Sequence, residues 1–281
     1  LDKMVNQFAR ALKGLGIRKG DTVAMLLPNI PQIVVANYAA WRIGAITSMN
    51  NPLYTEKELD HQLNLSDAKV LVTLDLLHPR ALSLMKTTPV EKVVVCHINS
   101  YLPFPKKQLF PIVKKDMVKK IAPQANTYEF TDLINANDGS PLENQAELDA
   151  VGAHLYTGGT TGVSKGAMIT HRNMSYNTQQ LRTWFHDLKD GEERMLAVFP
   201  FFHSAGFTGA QNMCVFTGWT SILVPRPEPA VIIEILKKSK PTLVPGVPTI
   251  YVGLLAEETF LTMDLRFIKG FVAGAAPLPT D

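Results

Sequence analysis

The residues from Tyr156 to Gly166 combine the side-chain types that bind a polyphosphate. Glycines let the backbone turn tightly and bring amide donors close to phosphate oxygens, because no Cβ stands in the way. In this segment they include Gly158, Gly159 and Gly162. Hydroxyl groups add donors that can also reach a metal ion, and they belong to Thr157, Thr160, Thr161 and Ser164. Lys165 adds a compact positive charge, so the segment predicts a phosphate-binding loop.

Two other nucleotide-binding loops do not fit this segment. A Walker A loop needs Gly-Lys-Ser/Thr at the start of a helix, whereas Lys165 follows Ser164 and precedes Gly166. The GxGxxG pattern of a dinucleotide site is also missing from it. A hairpin without a ligand is the remaining alternative, but so many glycines would cost backbone entropy without adding to a core.

The elements around this loop alternate between strand and helix. Apolar and β-branched runs predict strands at 153–157 and 167–170 on either side of it. Further strands are predicted at 22–27, 45–49, 69–74, 92–98, 195–199, 221–224, 242–244 and 271–273. Helical spacing is found at 3–13, 172–185, 230–238 and 249–257, and Thr55 and Glu58 have the spacing of a capping box. The pattern predicts an α/β protein of two stacked αβ subdomains with mixed, largely parallel sheets.

The predicted organisation has three parts. Residues 1–99 form a first αβ subdomain, 100–152 an irregular basic insertion or linker, and 153–281 a second αβ subdomain that carries the phosphate loop. Within the insertion, residues 104–120 contain six lysines against one aspartate, interleaved with apolar residues. They predict a basic amphipathic helix, partly broken by Pro111, that contacts an anionic membrane surface. A solvated helix packed on the domain is the alternative.

Composition narrows the class of protein. The net charge of +3 over 281 residues is too small to indicate nucleic-acid binding. Cys96 and Cys214 are far apart and form no CxxC pair, which favours a reducing, cytoplasmic compartment. The apolar stretch 22–49 is interrupted by prolines, asparagines and an arginine, so it indicates strands and a helix instead of a membrane span. The predicted location is cytoplasmic, with peripheral membrane contact through 104–120.

The run from Tyr156 to Asn173, YTGGTTGVSKGAMITHRN, resembles the phosphate-loop signature of the adenylate-forming enzymes. Two glycines before the paired threonines make it most similar to the long-chain fatty-acid–CoA ligases, which are AMP-forming acyl-CoA synthetases. Three other segments agree with the family in order along the chain: LKGLGIRKGDTVAMLLPNIPQ near the start, FPFFH at 199–203 and GAAPL at 274–278. The resemblance covers nearly the whole chain and is weakest at 99–151.

The resemblance implies a reaction in two steps. A fatty carboxylate attacks the α-phosphorus of ATP, and the thiol of coenzyme A then attacks the acyl-adenylate, so that pyrophosphate and AMP leave. It implies Thr157 as a Mg²⁺ ligand, and Lys165 and His203 as the catalytic side chains. The remaining residues that it implies to bind nucleotide are Gly158, Gly159, Thr160, Thr161, Gly162, Ser164, Gly274, Ala275 and Ala276.

His203 is implied to orient the carboxyl end of the acyl group, although a histidine beside aromatic residues is more often part of a core. Phe207 is implied as an aromatic gate to the acyl site, with an ordinary core phenylalanine as the alternative. The small residues Gly274, Ala275 and Ala276 would let adenine lie flat against the backbone, whereas simple close packing is the other interpretation.

The family's later motifs and its small C-terminal domain with the adenylation lysine are expected beyond Asp281. The chain is therefore predicted to be an N-terminal fragment, inactive by itself, of a long-chain-fatty-acid–CoA ligase. Two alternatives stay open: an aryl- or short/medium-chain acid CoA ligase or adenylation domain, and a non-catalytic module that binds nucleotide or fatty acid. The expected partners are fatty acid, ATP and coenzyme A, with a homodimer as an open form of assembly.

Overall fold

The computed structural model of the protein describes residues 1–157 and 164–277. The chain divides into a first unit, Leu1–Asn173, and a second unit, Met174–Asp281. Its helices are α1 (Asp2–Gly14), α2 (Pro31–Arg42), α3 (Glu56–Leu65), α4 (His78–Leu84), α5 (Lys106–Val113), α6 (Phe130–Asn135), α7 (His171–Trp184), α8 (Ser204–Gly206), α9 (Met213–Thr217), α10 (Pro229–Ser239), α11 (Pro248–Leu255) and α12 (Glu258–Leu261). Short 3₁₀ turns cover Asp75–Leu77 and Lys115–Met117, and a π-helical segment covers Phe207–Asn212.

The strands are β1 (Thr22–Leu26), β2 (Ile46–Met49), β3 (Ala68–Leu74), β4 (Lys92–Cys96), β5 (Thr127–Glu129), β6 (Val151–Thr157), β7 (Lys165–Thr170), β8 (Arg194–Ala197), β9 (Thr220–Leu223), β10 (Leu243–Gly246) and β11 (Gly270–Ala273). Each strand predicted from the sequence is present to within two or three residues. The α/β class is confirmed, because the short apolar, β-branched runs form strands and the runs with helical spacing form helices.

The first unit is built on a sheet with the order β5-β4-β3-β1-β2-β6-β7 among the described residues. All neighbouring pairs are parallel except β6 and β7, which pair antiparallel. Every residue of β1 is buried, as expected for a strand covered on both faces. At the start of α3, Thr55 accepts from the Glu58 amide while the Glu58 side chain accepts from the Thr55 amide, so the predicted capping box is confirmed.

The second unit has a parallel sheet with the order β11-β10-β8-β9 in its described part. Its core includes Leu196 and Val198 at β8, Ile232 and Leu236 on α10, and Leu254 on α11, all of them at most 2% exposed. The helices thus pack their apolar stripes on a sheet whose strands end in the loops described below.

The predicted division of the chain needs two corrections. The boundary was expected at residue 153, but β6 pairs with β2 of the first sheet, so the structure divides the chain within α7 instead. The predicted insertion at 100–152 contains β5 and α6, and Phe130 of α6 is fully buried with its ring centroid 4.5 Å from that of Phe8. Elements of three and six residues are too short to show a clear period in the sequence.

The basic segment differs in part from its prediction. A helix is present, but α5 ends at Val113, two residues after Pro111, and a 3₁₀ turn follows it. None of the residues of α5 is buried. Phe110 is half-buried, and the Asn99 side-chain amide donates to the Lys107 carbonyl oxygen at 3.2 Å, so both the membrane contact and the solvated helix packed on the domain stay open. No helix within 1–157 or 164–277 is long and apolar enough to cross a bilayer.

Candidate active site

In the first unit, β6 and β7 hold the two ends of the predicted phosphate loop side by side. Thr157 is paired with Lys165 across the antiparallel ladder, and Tyr156 is paired with Gly166. The side chains of Thr157 and Lys165 are both exposed, and the Thr157 hydroxyl is 3.5 Å from the Lys165 carbonyl oxygen. A hydroxyl and an ammonium group that leave one strand pair at the same end can contact the same anion.

The middle of the predicted phosphate loop, residues 158–163, is not among the residues that the structure describes. Five of the predicted phosphate contacts lie outside the described residues: Gly158, Gly159, Thr160, Thr161 and Gly162. Ser164, the first described residue after them, is contacted by two consecutive residues of α3. The His61 Nε2 atom lies 3.1 Å from the Ser164 carbonyl oxygen, and the Gln62 side-chain amide donates to the Ser164 hydroxyl at 3.4 Å.

In the second unit, His203 precedes α8 in an extended conformation and acts as its N-terminal boundary residue. The Phe202 ring lies beside it with ring centroids 4.9 Å apart. Partial burial lowers the pKa of His203 below its ordinary value, so its imidazole is neutral at neutral pH. A neutral ring can donate or accept one hydrogen bond, which suits a residue that orients a carboxyl group.

Gly206 brings α8 against the chain that follows β8. A Cβ at this position would lie 2.1 Å from the Pro200 carbonyl oxygen and 2.5 Å from that of Phe199. Only glycine allows this approach between two backbones. Gly206 therefore fixes the path of the chain on both sides of His203.

A cavity of about 370 Å³ opens beside this segment, entirely within the second unit. Most of its lining is apolar, and its size falls in the range of small-molecule sites. The segment after His203 contributes Ser204, Ala205, Thr208 and Gly209. The other lining residues are Asn177, Leu181, Phe185, Met195, Phe199, Leu243, Pro245, Val272 and Gly274.

Sequence reasoning predicted α7 but did not assign a face of it to a site. Asn177, Leu181 and Phe185 follow one another at intervals of four residues, and all three line the cavity. This spacing is the signal that could have identified them. Thr208 and Gly209 lie in the π-helical segment, a form of helix that occurs often at functional sites.

The structure places the other predicted residues of this unit as follows. Phe207 is 1% exposed and is not one of the residues that line the cavity, so it lies in the core here. Gly274 lines the cavity, and its amide donates to the Gly246 carbonyl at 3.2 Å. Ala275 has a φ of 69°, which is the strained left-handed region for a residue with a Cβ, and Ala275 and Ala276 are exposed.

The residue that the resemblance implies for a metal ion offers a hydroxyl oxygen and no carboxylate. Among the described residues, no group of three or more His, Cys, Asp or Glu side chains could hold one. Thr157 offers one hydroxyl oxygen at the end of β6. This fits Mg²⁺, which keeps several water ligands and commonly binds through substrate phosphates.

The chain belongs to the AMP-binding enzyme family, which matches residues 1–281. It is 39% identical over 98% of its length to a long-chain-fatty-acid–CoA ligase from Bacillus subtilis (strain 168), of which it covers 50%. It is 33% identical to the enzyme of that name from Escherichia coli O157:H7, over 99% of this chain and 51% of the relative. The chain thus spans about half the length of these curated relatives.

Solved structures agree with this fold. The crystal structure of a long-chain-fatty-acid–CoA ligase from Archaeoglobus fulgidus matches with a TM-score of 0.80 and 27% identity, over 99% of this chain and 50% of that one. An anthranilate–CoA ligase in complex with anthranoyl-AMP matches with a TM-score of 0.84 at 23% identity, over 99% of this chain and 50% of that one, and shows the shared fold alone.

Proposed function

We propose that this chain is the nucleotide- and acyl-binding part of an AMP-forming acid–thiol ligase, and that the whole enzyme converts a long-chain fatty acid to its coenzyme A thioester. One observation carries the proposal. A single apolar cavity is lined both by the segment that follows His203 and by Gly274, the first residue of the proposed adenine contact. An acyl group and a nucleotide that meet in one cavity are the two reactants of acid activation.

In this proposal the first unit binds the polyphosphate. Lys165 and the hydroxyl of Thr157 leave the strand pair together. Further donors for the β- and γ-phosphates would come from Thr160, Thr161 and the amides of Gly158, Gly159 and Gly162. Thr157 would hold Mg²⁺ together with phosphate oxygens, and the ion would supply positive charge that stabilises the negative charge of the phosphates. The protein's main contribution is to position groups and supply charge, because a phosphorus centre needs little covalent help.

The second unit binds the acid. The apolar lining of the cavity takes the hydrocarbon chain, because moving it out of water is favourable by about 0.8 kcal/mol per methylene. The neutral imidazole of His203 orients the carboxylate toward the α-phosphate. The small residues Gly274, Ala275 and Ala276 leave room for the adenine ring. Phe207 would act as a gate only if it left its buried position.

Two relatives support a long-chain acid, and one relative supports an alternative. The two curated relatives described above are long-chain-fatty-acid–CoA ligases. A 4-coumarate–CoA ligase from Vanilla planifolia is 27% identical over 95% of this chain, so an aryl acid is the second candidate substrate. A module that binds nucleotide or fatty acid without catalysis is the candidate of another class.

The test uses the chain in its complete reading frame. Pyrophosphate release is measured with ATP, Mg²⁺ and carboxylic acids from acetate to oleate and 4-coumarate, with and without coenzyme A. We expect release to be greatest with long chains and a thioester to form when coenzyme A is added. Greatest release with 4-coumarate would move the substrate to aryl acids, and no release with any acid would refute the enzyme function.

We propose in addition that α5 and its flanks contact an anionic membrane surface. Phe104, Ile112 and Val113 are 83%, 64% and 71% exposed, which is costly in water but favourable in a lipid interface. Six lysines surround them: Lys106, Lys107, Lys114, Lys115, Lys119 and Lys120. Exposed apolar side chains among positive charges are the usual composition of a peripheral membrane contact.

Vesicle co-sedimentation tests this contact. Each lysine near an anionic surface contributes about 1 kcal/mol, so replacing Lys106, Lys114 and Lys115 by glutamine should weaken binding roughly a hundredfold. The control variant replaces three exposed lysines elsewhere in the first unit by glutamine: Lys13, Lys57 and Lys86. It makes the same change in net charge. Equal binding by the two triple variants would exclude this surface.

A further inference from the structure

A buried polar network lies beneath the two ends of the predicted phosphate loop. It joins Ser48 of β2, Asn50 just after that strand and Gln62 of α3, and each of these side chains is 0% exposed. Buried polar groups are costly unless they are hydrogen-bonded, so a network of this kind is maintained only when its members satisfy one another.

The end of β6 is attached to this network through Tyr156. The Tyr156 hydroxyl donates to the Gln62 carbonyl oxygen at 2.9 Å and lies 2.8 Å from the Ser48 hydroxyl. The Gln62 side-chain oxygen accepts from the Asn50 amide at 2.9 Å, which fixes the orientation of the Gln62 side chain. The last residue but one of β6 is therefore held by both β2 and α3.

The start of β7 is attached to the same turn of α3. With its oxygen occupied by Asn50, the Gln62 side chain directs its nitrogen at the Ser164 hydroxyl, 3.4 Å away. The His61 Nε2 atom is 3.1 Å from the Ser164 carbonyl oxygen, and since a carbonyl only accepts, Nε2 carries the proton in this contact. Two neighbouring residues of one helix thus bind both ends of the loop.

The Tyr156 ring also packs on the second strand. A Cβ at Gly166 would lie 3.3 Å from Cε1 of Tyr156, so the ring lies across the position where β7 begins. Thr157 and Lys165 are the next residues along the two strands, and their places follow from those of Tyr156, Ser164 and Gly166.

We propose that Gln62, together with His61 and Tyr156, is a positioning residue for the nucleotide phosphates, an inference that rests on the proposed function. Gln62 touches no reactant. Its side chain acts through Ser164 and its backbone carbonyl oxygen through Tyr156, and these two residues set the distance between Thr157 and Lys165. Groups that bind a reacting phosphate must be held to within about 0.5 Å, and a hydrogen-bonded helix turn restricts them more tightly than apolar packing alone.

Hydrogen exchange on the purified chain tests the structural part of this inference. Gln62→Met keeps the length of the side chain and removes its two side-chain hydrogen bonds, those with Asn50 and Ser164. We expect amides at 164–166 to exchange about five- to tenfold faster, with those of β1 and β3 unchanged. Asn64→Leu is the matched control on the same helix, because Asn64 bonds to Asp60 and Thr87 and not to the loop.

Kinetics in the complete reading frame test the functional part. Gln62→Met should raise the KM for ATP about fivefold and leave the KM for the carboxylic acid unchanged, because one hydrogen bond of ordinary strength is lost at the phosphate side only. Gln62→Met combined with Ser164→Ala should be no worse than the more affected single variant, as the two act in series. Tyr156→Phe, which keeps the ring, should have the same selective effect and serves if Gln62→Met does not fold.

The two proposals fail in different ways. Unchanged exchange at 164–166, or an equal rise in the KM values for ATP and for acid, would overturn the positioning role even in an active enzyme. A wild-type enzyme without pyrophosphate release would refute the proposed function, while faster exchange confined to 164–166 would still support the anchoring of the loop by α3.

Discussion

Replacing Gly206 by alanine should damage the second unit far more than a change of one methyl group suggests. The added Cβ would meet the Pro200 and Phe199 carbonyl oxygens at 2.1 Å and 2.5 Å, where ordinary contacts begin at 3.4 Å. Both obstacles are backbone atoms, so no side chain can rotate away. The start of α8 and the chain after β8 must instead separate by roughly 1 Å.

The expected cost follows from this displacement. Overpacking in a closely packed region typically destabilises by 1–3 kcal/mol, and a clash between two backbones belongs at about 3 kcal/mol. Alanine regains at most about 1 kcal/mol over glycine through helix propensity. The net loss of about 2 kcal/mol should lower the urea midpoint of the second unit by about 1 M, since m-values are commonly about 1–3 kcal/mol/M.

Gly209→Ala provides the matched control three residues further on. A Cβ at Gly209 would meet no heavy atom within 4 Å, so only the gain in helix propensity remains. We expect this variant to be as stable as the wild type or up to about 1 kcal/mol more stable. Urea unfolding followed by tryptophan fluorescence compares the two. Equal midpoints for Gly206→Ala and Gly209→Ala would refute the argument from close backbone approach.

Three more predictions follow from individual contacts. Lys269→Met should lower the free energy of unfolding by about 2 kcal/mol, because the fully buried carboxylate of Glu193 loses the half-exposed ammonium group 2.6 Å away but keeps the hydrogen bond from the Lys189 amide. Adding Glu193→Gln to this variant should recover most of the loss in urea titrations, and no recovery would contradict this. The hydrogen bond that the His97 ring donates to the Asp75 carboxylate raises the pKa of His97, so the contribution of His97 to stability is complete below pH 6.5 and is lost as pH rises through the raised pKa. His97→Gln should remove that dependence in urea titrations between about pH 6 and 9. An identical dependence in both proteins would exclude His97 as its source. Gly209→Leu should fill part of the cavity. Pyrophosphate release should fall about tenfold with the longest acids and stay unchanged with short acids. An equal loss with all acids would argue that the cavity does not hold the acyl chain.

The sequence by itself determined the fold class and the family, and it predicted the place of a phosphate loop. The period of the apolar residues depends only on local geometry, so the alternation of strands and helices was correct over most of the chain. Thr55 and Glu58 identified a helix start for the same reason, since a capping box is formed within four residues. The loop could be recognised because its glycines, hydroxyls and lysine are consecutive.

The tertiary structure decided which separate segments meet. Nothing local in the sequence shows that β6 pairs with β2, or that α6 completes the first unit, because strand pairing depends on contacts between distant residues. The same holds for Gln62, which is about a hundred residues away from Ser164 in the chain, yet lies within hydrogen-bonding distance of it. Phe207 looked equally suited to a gate and to a core, and the sequence could not show that its side chain is 1% exposed. Consecutive residues therefore indicate which functional groups are present, whereas packing decides how these groups are positioned.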